Sequence, residues 1–367
     1  MMRAMDRWLP GYLAARGRRA RHHPAGLRHL FFCVADHFEP FGYGASAAQA
    51  MDAVRYWVET YPQRVASWRD ADGRAPRHTF FYPAEEYDAA CLDGLGALCR
   101  AGFGEVEVHL HHRHDTAEGF ARKLVEFRDR LRQTHGMLGS DAQGAVRYGF
   151  VHGNWALCNS RPDGDWCGVN EELAVLRRTG CYADFTFPSA PSPTQPRTVN
   201  ALYYARDRRG FARGHDRGRM ATAGKRMAED DALLLIQGPL ALNWGRRKWG
   251  LLPRLENAEL SGANPPTAQR IDLWVAQDIQ VQGRSDWVFV KVHTHGCVAV
   301  NTRVMLGEAM VEAHRHLQAR YNDGRAWRLH YVSAREMANL VVAAEDGVAG
   351  DPGALRDYAV RRPPLCD

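Results

Sequence analysis

The chain has 367 residues, of which 45% are hydrophobic and 25% charged, and these are the proportions of an ordinary globular protein. Its formal net charge is only +6, and without zinc-finger spacing or an aromatic-basic stacking sheet the sequence does not predict nucleic-acid binding. The eight cysteines contain no C-x-x-C pair, which argues against a disulfide framework and indicates the reduced thiols of a cytoplasmic protein.

Residues 1–26 form a basic N-terminal segment. It carries several arginines against a single acidic residue, Asp6: Arg3, Arg7, Arg16, Arg18, Arg19 and Arg21. A second basic stretch covers residues 197–226. No secretory signal is present, and no apolar run approaches the ~20 residues of a membrane span, so we expect a cytoplasmic protein. The basic stretches predict either solvated surfaces or contact with phosphate or the anionic inner membrane face, where Trp8 and Tyr12 would lie.

Short strand-forming runs then alternate with amphipathic helical patterns. Strands are predicted at 27–36, 77–87, 105–112, 146–155, 181–189, 232–240 and 286–296, with a weaker eighth at 327–333. Helices are predicted at 46–70, 116–136, 169–180 and 302–320. This alternation predicts a parallel sheet with helices packed outside it. The α/β domain would cover 27–345, with long loops at 150–180, 190–230 and 241–285, and a C-terminal tail would cover 346–367.

Polar side chains fall at or near the carboxyl ends of successive predicted strands: Asp36, Glu85, His111, His152, Asp184 and His293. A (β/α) barrel keeps its chemistry at this rim, whereas an open doubly wound sheet collects it at one switch point. Such an open sheet usually also has a glycine-rich turn after its first strand, and residues 36–40 contain no glycine. The pattern therefore favours a (β/α) barrel of about seven parallel strands.

The segment EVEVHLHHRHD (105–115) holds a cluster of histidines that ends in an aspartate. Alternate residues of a strand share a face, so positions 107, 109 and 111 point to one side and 106, 108 and 110 to the other. Imidazole and carboxylate groups are the usual ligands of Zn²⁺ and similar ions, so the cluster predicts a metal site. The alternatives are a solvated run or structural histidines, and some rings would only hold a ligand in place.

The first and last predicted strands add further candidates. Asp36 and His37 close the first strand, with Glu39 beyond them, and His293 and His295 close the last. These strands are neighbours in a closed barrel, so their polar groups would meet the histidine cluster across its mouth. Asp36 is a candidate general base towards a metal-bound water, whose pKa the metal lowers to ~7. His293 is a candidate general acid for the leaving group.

Four motifs in this order resemble the NodB-type polysaccharide deacetylase superfamily: VADH (34–37), HTFFYP (78–83), HLHHRHD (109–115) and VKVHTHG (290–296). The resemblance covers most of the chain and implies a distorted (β/α) barrel with about seven parallel strands and a divalent metal, most simply Zn²⁺. It also implies a base at Asp36 and a catalytic histidine at His293. The chain departs from the family pattern at His37 and Asp115, where the family has an aspartate and a histidine. The resemblance thus implies an altered set of candidate ligands: His37, His109, His111 and Asp115.

The region 150–196 combines tryptophans with amide and acidic side chains. Tryptophan can stack on a sugar ring while polar neighbours bind its hydroxyl groups, and the alternative is a packed Ω-loop with buried tryptophans. Together with positions at other strand ends, this region supplies the candidate substrate-binding residues: Glu85, His112, His152, Asn154, Trp155 and His295.

The sequence therefore predicts a metal-dependent hydrolase that removes an N-acetyl group from an amino sugar of a polysaccharide or glycolipid in surface-glycan biosynthesis. One alternative is a glycoside hydrolase with paired carboxylates, drawn from five candidates: Asp36, Glu39, Glu85, Glu86 and Asp184. The other alternative is a glycan- or lipid-phosphate-binding protein that keeps the barrel without its catalysis. The expected partner is a glycan or lipid-linked saccharide, with peripheral membrane contact left open.

Overall fold

The computed structural model describes residues 4–19, 26–227 and 232–366. Arg3 and Arg21 of the basic N-terminal segment lie outside the described residues. The described helices are α1 Met5–Arg19, α2 Ala47–Val65, α3 Ala89–Arg100, α4 Ala117–His135, α5 Glu172–Arg178, α6 Ala268–Val275, α7 Ala299–Met305, α8 Glu308–Tyr321 and α9 Ala334–Glu345. The described strands are β1 Arg28–His37, β2 His78–Pro83, β3 Gly104–Leu110, β4 Gly139–Ser140, β5 Val146–His152, β6 Cys181–Asp184, β7 Leu202–Ala205, β8 Arg219–Met220, β9 Leu233–Ile236, β10 Ala241–Lys248, β11 Leu252–Glu256, β12 Trp287–Thr294 and β13 Trp327–Tyr331.

Helices α2 and α4 form where the apolar spacing predicts them. The positions that predicted α2, namely 50, 54, 57 and 61, are all buried in it. The helix begins at a capping box in which Ser46 and Gln49 each accept a hydrogen bond from the other's backbone N–H. In α4 the apolar stripe at 120, 124, 127 and 131 is buried in the same way. Both helices therefore pack one apolar face against the sheet.

Eleven strands form one mostly parallel sheet in the order β12–β1–β2–β3–β5–β6–β9–β7–β8, with β13 beside β1 and β4 beside β5. β1 is central because it has three neighbours. It pairs with β12 along most of its length, with β13 over its first half and with β2 from Val34 to His37. A separate antiparallel hairpin consists of β10 and β11.

The described strands do not close into a barrel, so that part of the prediction is not confirmed. β9 does not pair with β12, because β7 and β8 from the predicted 190–230 loop extend the sheet beyond its edge as antiparallel strands. A side chain links β12 to the segment after β6 instead: Lys291 Nζ donates to the carbonyls of Phe185 and Phe187 at 2.5 and 2.7 Å. The observed fold is mixed α/β with a large, mostly parallel sheet.

Helix α9 covers the face of the sheet opposite α2 and α4. Its Met337 and Leu340 share a core with Phe31 and Phe289 of the central strands. The helix begins beside the amino ends of β2 and β3, where Ala334 N donates to Thr79 Oγ1 at 2.9 Å. α9 therefore packs beside the amino ends of the strands. Their carboxyl ends remain open to the polar side chains.

The C-terminal tail is part of the same folded body. Arg356 is buried and pairs with Asp70 and Glu336, while Arg361 N donates to Ser140 O at 2.8 Å. Removing one member of a buried ion network leaves an uncompensated charge, so these contacts fix where the tail lies. The predicted tail thus packs on the domain through specific ionic contacts.

Helix α1 is also packed onto the domain. Trp8 and Tyr12 are buried in a small core with Val199, against which Leu242 and Leu255 of the β10–β11 hairpin pack. The two aromatic side chains expected at a membrane surface therefore lie inside the protein. Among the described residues, no helix combines the length and the apolar character needed to cross a bilayer.

Candidate metal centre

The end of β1 presents neighbouring side chains to opposite faces of the sheet. His37 follows Cys33 and Ala35, which face the core that contains α9, whereas Asp36 follows Val34 on the face covered by α2. Glu39 comes two residues after His37. This spacing brings Glu39 to the same cluster as His37, although the regular strand ends at His37.

Five side chains converge at the carboxyl edge of the sheet, from β1, from β3 and from the segment after β12: His37, Glu39, His109, His111 and His295. Two groups share Glu39, one with His37 and His295 and one with His109 and His111, and within each group the potential ligand atoms lie within 4.8 Å of one another. Glu39 Oε1 lies 3.0 Å from His109 Nε2 and 3.6 Å from His111 Nε2. Glu39 Oε2 lies 3.6 Å from His295 Nδ1.

Electrostatics favour neutral rings at His37 and His109 and an ionised Glu39, whereas, despite burial, carboxylate neighbours raise the pKa of His111 and His295. Burial lowers the pKa of His37 well below its usual value, and the nearby rings of His295 and His109 add to the effect. Burial alone would raise the pKa of Glu39, but the contacts with the rings of His109 and His295 outweigh this effect and bring the pKa below its ordinary range. Neutral imidazole and ionised carboxylate are the forms that bind metals.

Hydrogen bonds fix two of the rings. His109 Nδ1 donates to Val151 O at 2.8 Å, so Nε2 of the neutral ring carries its lone pair towards Glu39. Glu85 Oε1 accepts from the backbone N–H of His111 at 3.0 Å and lies 2.5 Å from its Nδ1, which turns Nε2 of that ring towards Glu39. Such outer partners commonly orient metal-binding histidines. Glu85, a predicted substrate-binding residue, therefore contacts a candidate ligand.

Asp36 is not brought into the cluster. Its Oδ2 lies 2.8 Å from His78 Nε2, and its Oδ1 accepts a hydrogen bond from Gly296 N at 2.6 Å. A Cβ atom at position 296 would lie 2.0 Å from Oδ2, so the close approach of this loop requires glycine. The carboxylate predicted as a general base thus holds the segment that carries His295, on the other face of β1.

His293 lies beneath the cluster and is buried. Its ring centroid is 6.4 Å from that of His37, and its Nδ1 has no hydrogen-bond partner. Burial lowers its pKa well below the usual value, and Lys291 and His295 lower it further. The predicted general acid is therefore a neutral imidazole with one uncommitted nitrogen close to the candidate ligands.

Asp115 is not brought together with His37 and His111. Its carboxylate binds Lys123 Nζ at 2.7 Å and lies 3.2 Å from His112 Nδ1. The cause is that β3 ends at Leu110, and the chain then turns His111 and His112 into different clusters. His112 and His152, predicted to bind substrate, are both buried beside Glu172 in the second cluster.

The predicted loop around Trp155 does reach the first cluster. The Trp155 ring lies edge-on to His295, with centroids 6.5 Å apart, and is partly exposed. Asn154 and Trp155 both have positive φ angles, 54° and 53°, so the backbone makes a tight left-handed turn here. This turn directs Trp155 towards His295. Trp155 is therefore placed to contact a ligand at the candidate metal centre.

No protein-family model matches the chain, and no curated protein matches its sequence. The resemblance to deacetylases therefore rests on the four motifs alone.

Proposed function

We propose that this protein is a metal-dependent hydrolase, on an incomplete (β/α) barrel, that removes an acyl group such as N-acetyl from an amino sugar. The substrate would be a polysaccharide or a lipid-linked saccharide in surface-glycan biosynthesis. The proposal rests on the convergence of four imidazoles on one carboxylate at the carboxyl edge of the sheet, where α/β enzymes place their chemistry. The order of the four sequence motifs supports the substrate class.

One contact carries the metal assignment. His109 Nε2 and Glu39 Oε1 are 3.0 Å apart, although the Nδ1 proton of His109 is already donated to Val151 O. Two acceptor atoms at this distance attract each other only if a proton or a cation lies between them. Burial lowers the pKa of His109, which disfavours the additional proton. A divalent cation explains the contact, and Zn²⁺ suits imidazole and carboxylate ligands.

The residues around the proposed metal ion would have different roles. His37, Glu39, His109, His111 and His295 form the candidate ligand set, which also leaves room for one of these side chains to contact substrate instead. A bound Zn²⁺ ion supplies Lewis acidity, which polarises an acyl carbonyl and acidifies water. Glu85 orients His111, and Asp36 holds the loop of His295. His293 keeps its proposed role of proton transfer through its uncommitted Nδ1.

The test is a metal-depletion assay with product analysis. Protein stripped with a chelator is expected to lose acetate release from N-acetylglucosamine oligomers, and added Zn²⁺ is expected to restore it. Acetate release that ignores chelation would contradict the metal mechanism. New reducing ends without acetate would instead favour the glycoside hydrolase.

The glycoside hydrolase alternative has less support because its carboxylates are engaged elsewhere. Asp36 is bound to His78 and Gly296, and Asp184 Oδ2 accepts from Thr186 Oγ1 at 2.7 Å. Glu39 and Glu85 lie against imidazoles, and Glu86 Oε2 accepts a hydrogen bond from Phe41 N at 3.0 Å.

The two basic stretches of the sequence meet in one cleft. A cleft of about 920 Å³ is lined by Arg7 of α1 together with arginines of the second stretch, which are Arg197, Arg206, Arg208, Arg213, Arg217 and Arg219. Asp216 is the acidic residue in its lining, and Arg213 pairs with it at 2.8 Å. The excess of positive charge supports an anionic partner, such as the phosphate of a lipid-linked saccharide.

The β10–β11 hairpin supports contact with a membrane surface. Trp244 and Trp249 are 56% and 75% exposed, and the basic side chains of Arg247 and Lys248 lie between them in the sequence. Exposed tryptophans beside basic residues suit the interface of an anionic bilayer. α1 links the hairpin to the basic cleft, because Leu242 and Leu255 of the hairpin pack against the core that contains Trp8 and Tyr12, and Arg7 lines the cleft. We therefore infer that this region contacts the anionic membrane surface.

A further inference from the structure

A second cluster of potential ligands lies inside the protein, near the ends of β3 and β5. Glu172, the first residue of α5, contacts His112 and His152, and Cys167 lies with them. All four residues are buried, and their potential ligand atoms lie within 4.8 Å of one another. This set shares no residue with the metal centre of the proposed function.

The contacts within the cluster are too many for ordinary hydrogen bonds. Glu172 Oε1 lies 2.8 Å from His112 Nε2 and 3.3 Å from His152 Nε2, and the two nitrogens are 3.0 Å apart. Despite these short distances, Glu172 Oε1 has no partner with hydrogen-bond geometry. Buried polar groups are normally satisfied, so this oxygen faces a position that something else should occupy.

An outer partner orients the ring of His152. His152 Nδ1 donates to Gly153 O, which leaves Nε2 of the neutral ring as an acceptor. His112 Nδ1 lies 3.2 Å from Asp115 Oδ2 without hydrogen-bond geometry, and Lys123 binds that carboxylate. A carboxylate behind a histidine is a common outer partner at zinc sites.

Two backbone groups of Val169 contact the sulfur of Cys167. Val169 N donates to Cys167 Sγ at 3.3 Å, and the thiol donates to Val169 O at 3.3 Å. Gly168 has a φ of 101°, and a Cβ atom there would lie 2.6 Å from Asp115 N, so only glycine fits this turn. Asp115 N in turn donates to Cys167 O at 2.9 Å. The turn thus holds the sulfur against the two histidines.

We propose a second, structural Zn²⁺ site that is held by four side chains: His112, His152, Cys167 and Glu172. Imidazole, thiolate and carboxylate are all ligands of Zn²⁺, and four of them match the four-coordinate geometry of structural zinc sites. All four ligands come from the protein and are buried, so the site has no open position for substrate and differs from a catalytic site. The ion would join the ends of β3 and β5 to the loop before α5.

This site would also position the first metal centre. His112 follows His111 directly, and a Cβ atom on Gly153, next to His152, would lie 2.3 Å from His111 Cδ2. The structural ion would therefore restrain the backbone on both sides of the His111 ring. This role goes beyond the proposed function and does not depend on the reaction.

Native protein provides the first test. We expect two equivalents of zinc per chain, and X-ray absorption at the zinc edge should show a sulfur neighbour at ~2.3 Å averaged over the sites. The ligand set at the carboxyl edge contains no sulfur among the described residues, so this signal reports on Cys167. Zinc-loaded protein without sulfur scattering would overturn the proposal, even if every variant failed to fold.

Matched cysteine variants provide the second test. Cys167→Ser should remove the thiolate-to-metal absorption of Co²⁺-substituted protein, together with one equivalent of metal. Cys181→Ser, a change at another buried cysteine, should leave both unchanged. Glu39→Gln should reduce metal at the other centre and keep the thiolate band. A thiolate band that survives Cys167→Ser would overturn the second site. Loss of hydrolysis in Glu39→Gln bears only on the proposed function.

Discussion

Asp36 Oδ2 and His78 Nε2 lie 2.8 Å apart in a pair that is fully buried on the α2 side of β1. The other oxygen of Asp36 accepts from Gly296 N, one residue beyond His295. The pair therefore ties β1 and β2 to the loop that supplies a candidate ligand. In the proposed enzyme this makes Asp36 a positioning residue.

Replacement of Asp36 by asparagine tests this role. We expect Asp36→Asn to lower the free energy of unfolding by about 2 kcal/mol, because charge-assisted hydrogen bonds are lost. Activity should fall while its pH profile keeps its shape, since a group that titrates in the reaction is not removed. His78→Gln breaks the same pair and should have a similar effect on Tm and activity. A full loss of activity with unchanged Tm in Asp36→Asn alone would instead mark the carboxylate as the base.

Variants at Glu39 and Glu85 should distinguish a metal ligand from a residue that orients a ligand. We expect Glu39→Gln to lose the metal of the carboxyl-edge centre and its activity, because Glu39 is the carboxylate shared by both ligand groups. Glu85→Gln should keep the site and weaken metal affinity or activity about 10- to 100-fold, as outer partners of metal ligands do. Metal titration followed by acetate release measures both effects.

The matched control for these two changes is Glu118→Gln, a carboxylate on the exposed face of α4. It should bind metal and release acetate as the parent does. Equal metal binding by Glu39→Gln and Glu118→Gln would contradict the assignment of Glu39 as a ligand.

The exposed hairpin should determine membrane contact. We expect the protein to sediment with vesicles that contain anionic phospholipid and to dissociate steeply as salt is raised, because exposed charges are screened. Trp244→Ala and Trp249→Ala should weaken this binding, since both rings are exposed beside basic side chains. Tyr56→Ala, a change at an exposed aromatic on α2, is the control. Binding that is absent, or indifferent to salt and to both tryptophans, would contradict membrane contact by this region.

Glu345 on α9 should make stability depend on pH. Burial raises its pKa to about 7, and the neighbouring charge of Asp346 adds to the rise. In the unfolded chain this carboxyl ionises near 4.5, so the folded state binds more protons between these values. This contribution to stability is therefore present at acidic pH and is lost as the pH rises towards 7.

Glu345→Gln stays uncharged and keeps an acceptor for Tyr204 Oη, which donates to Glu345 Oε2 at 2.6 Å. We expect the variant to gain Tm over the parent as pH rises from about 5 to about 8, and to gain little at about 4. A difference in Tm that stays constant across this pH range would show that burial does not raise the pKa of the Glu345 carboxyl.

Strand alternation explains both what could be predicted and what was missed. The apolar residues of β3 face the helices, and His109 and His111 face the candidate metal centre, as their spacing predicts. The same rule places Asp36 and His37 on opposite faces of β1, yet the resemblance suggested one site for both. It also favours Glu39, two residues after His37, which was expected near the histidine cluster but was not included in the predicted ligand set.

Other features depend on contacts that local patterns do not encode. β7 and β8 are short antiparallel strands inside a predicted loop, and they extend the sheet past β9, away from β12. Cys167 is positioned by a turn at Gly168 and by a hydrogen bond from the distant Asp115. Neither the spacing of cysteines nor hydropathy indicates that Cys167 meets His112, because the loop path is set by tertiary packing.

The arrangement of β1 has a consequence for how the protein is made. His29 near its start pairs with Trp287 on one side and Arg328 on the other, so both neighbours of this half-strand are synthesised long after it. A nascent chain on the ribosome must therefore expose both edges of the first half of its central strand until translation is almost finished. Exposed strand edges invite aggregation, so newly made chains should depend on chaperones more than a protein with local strand pairing.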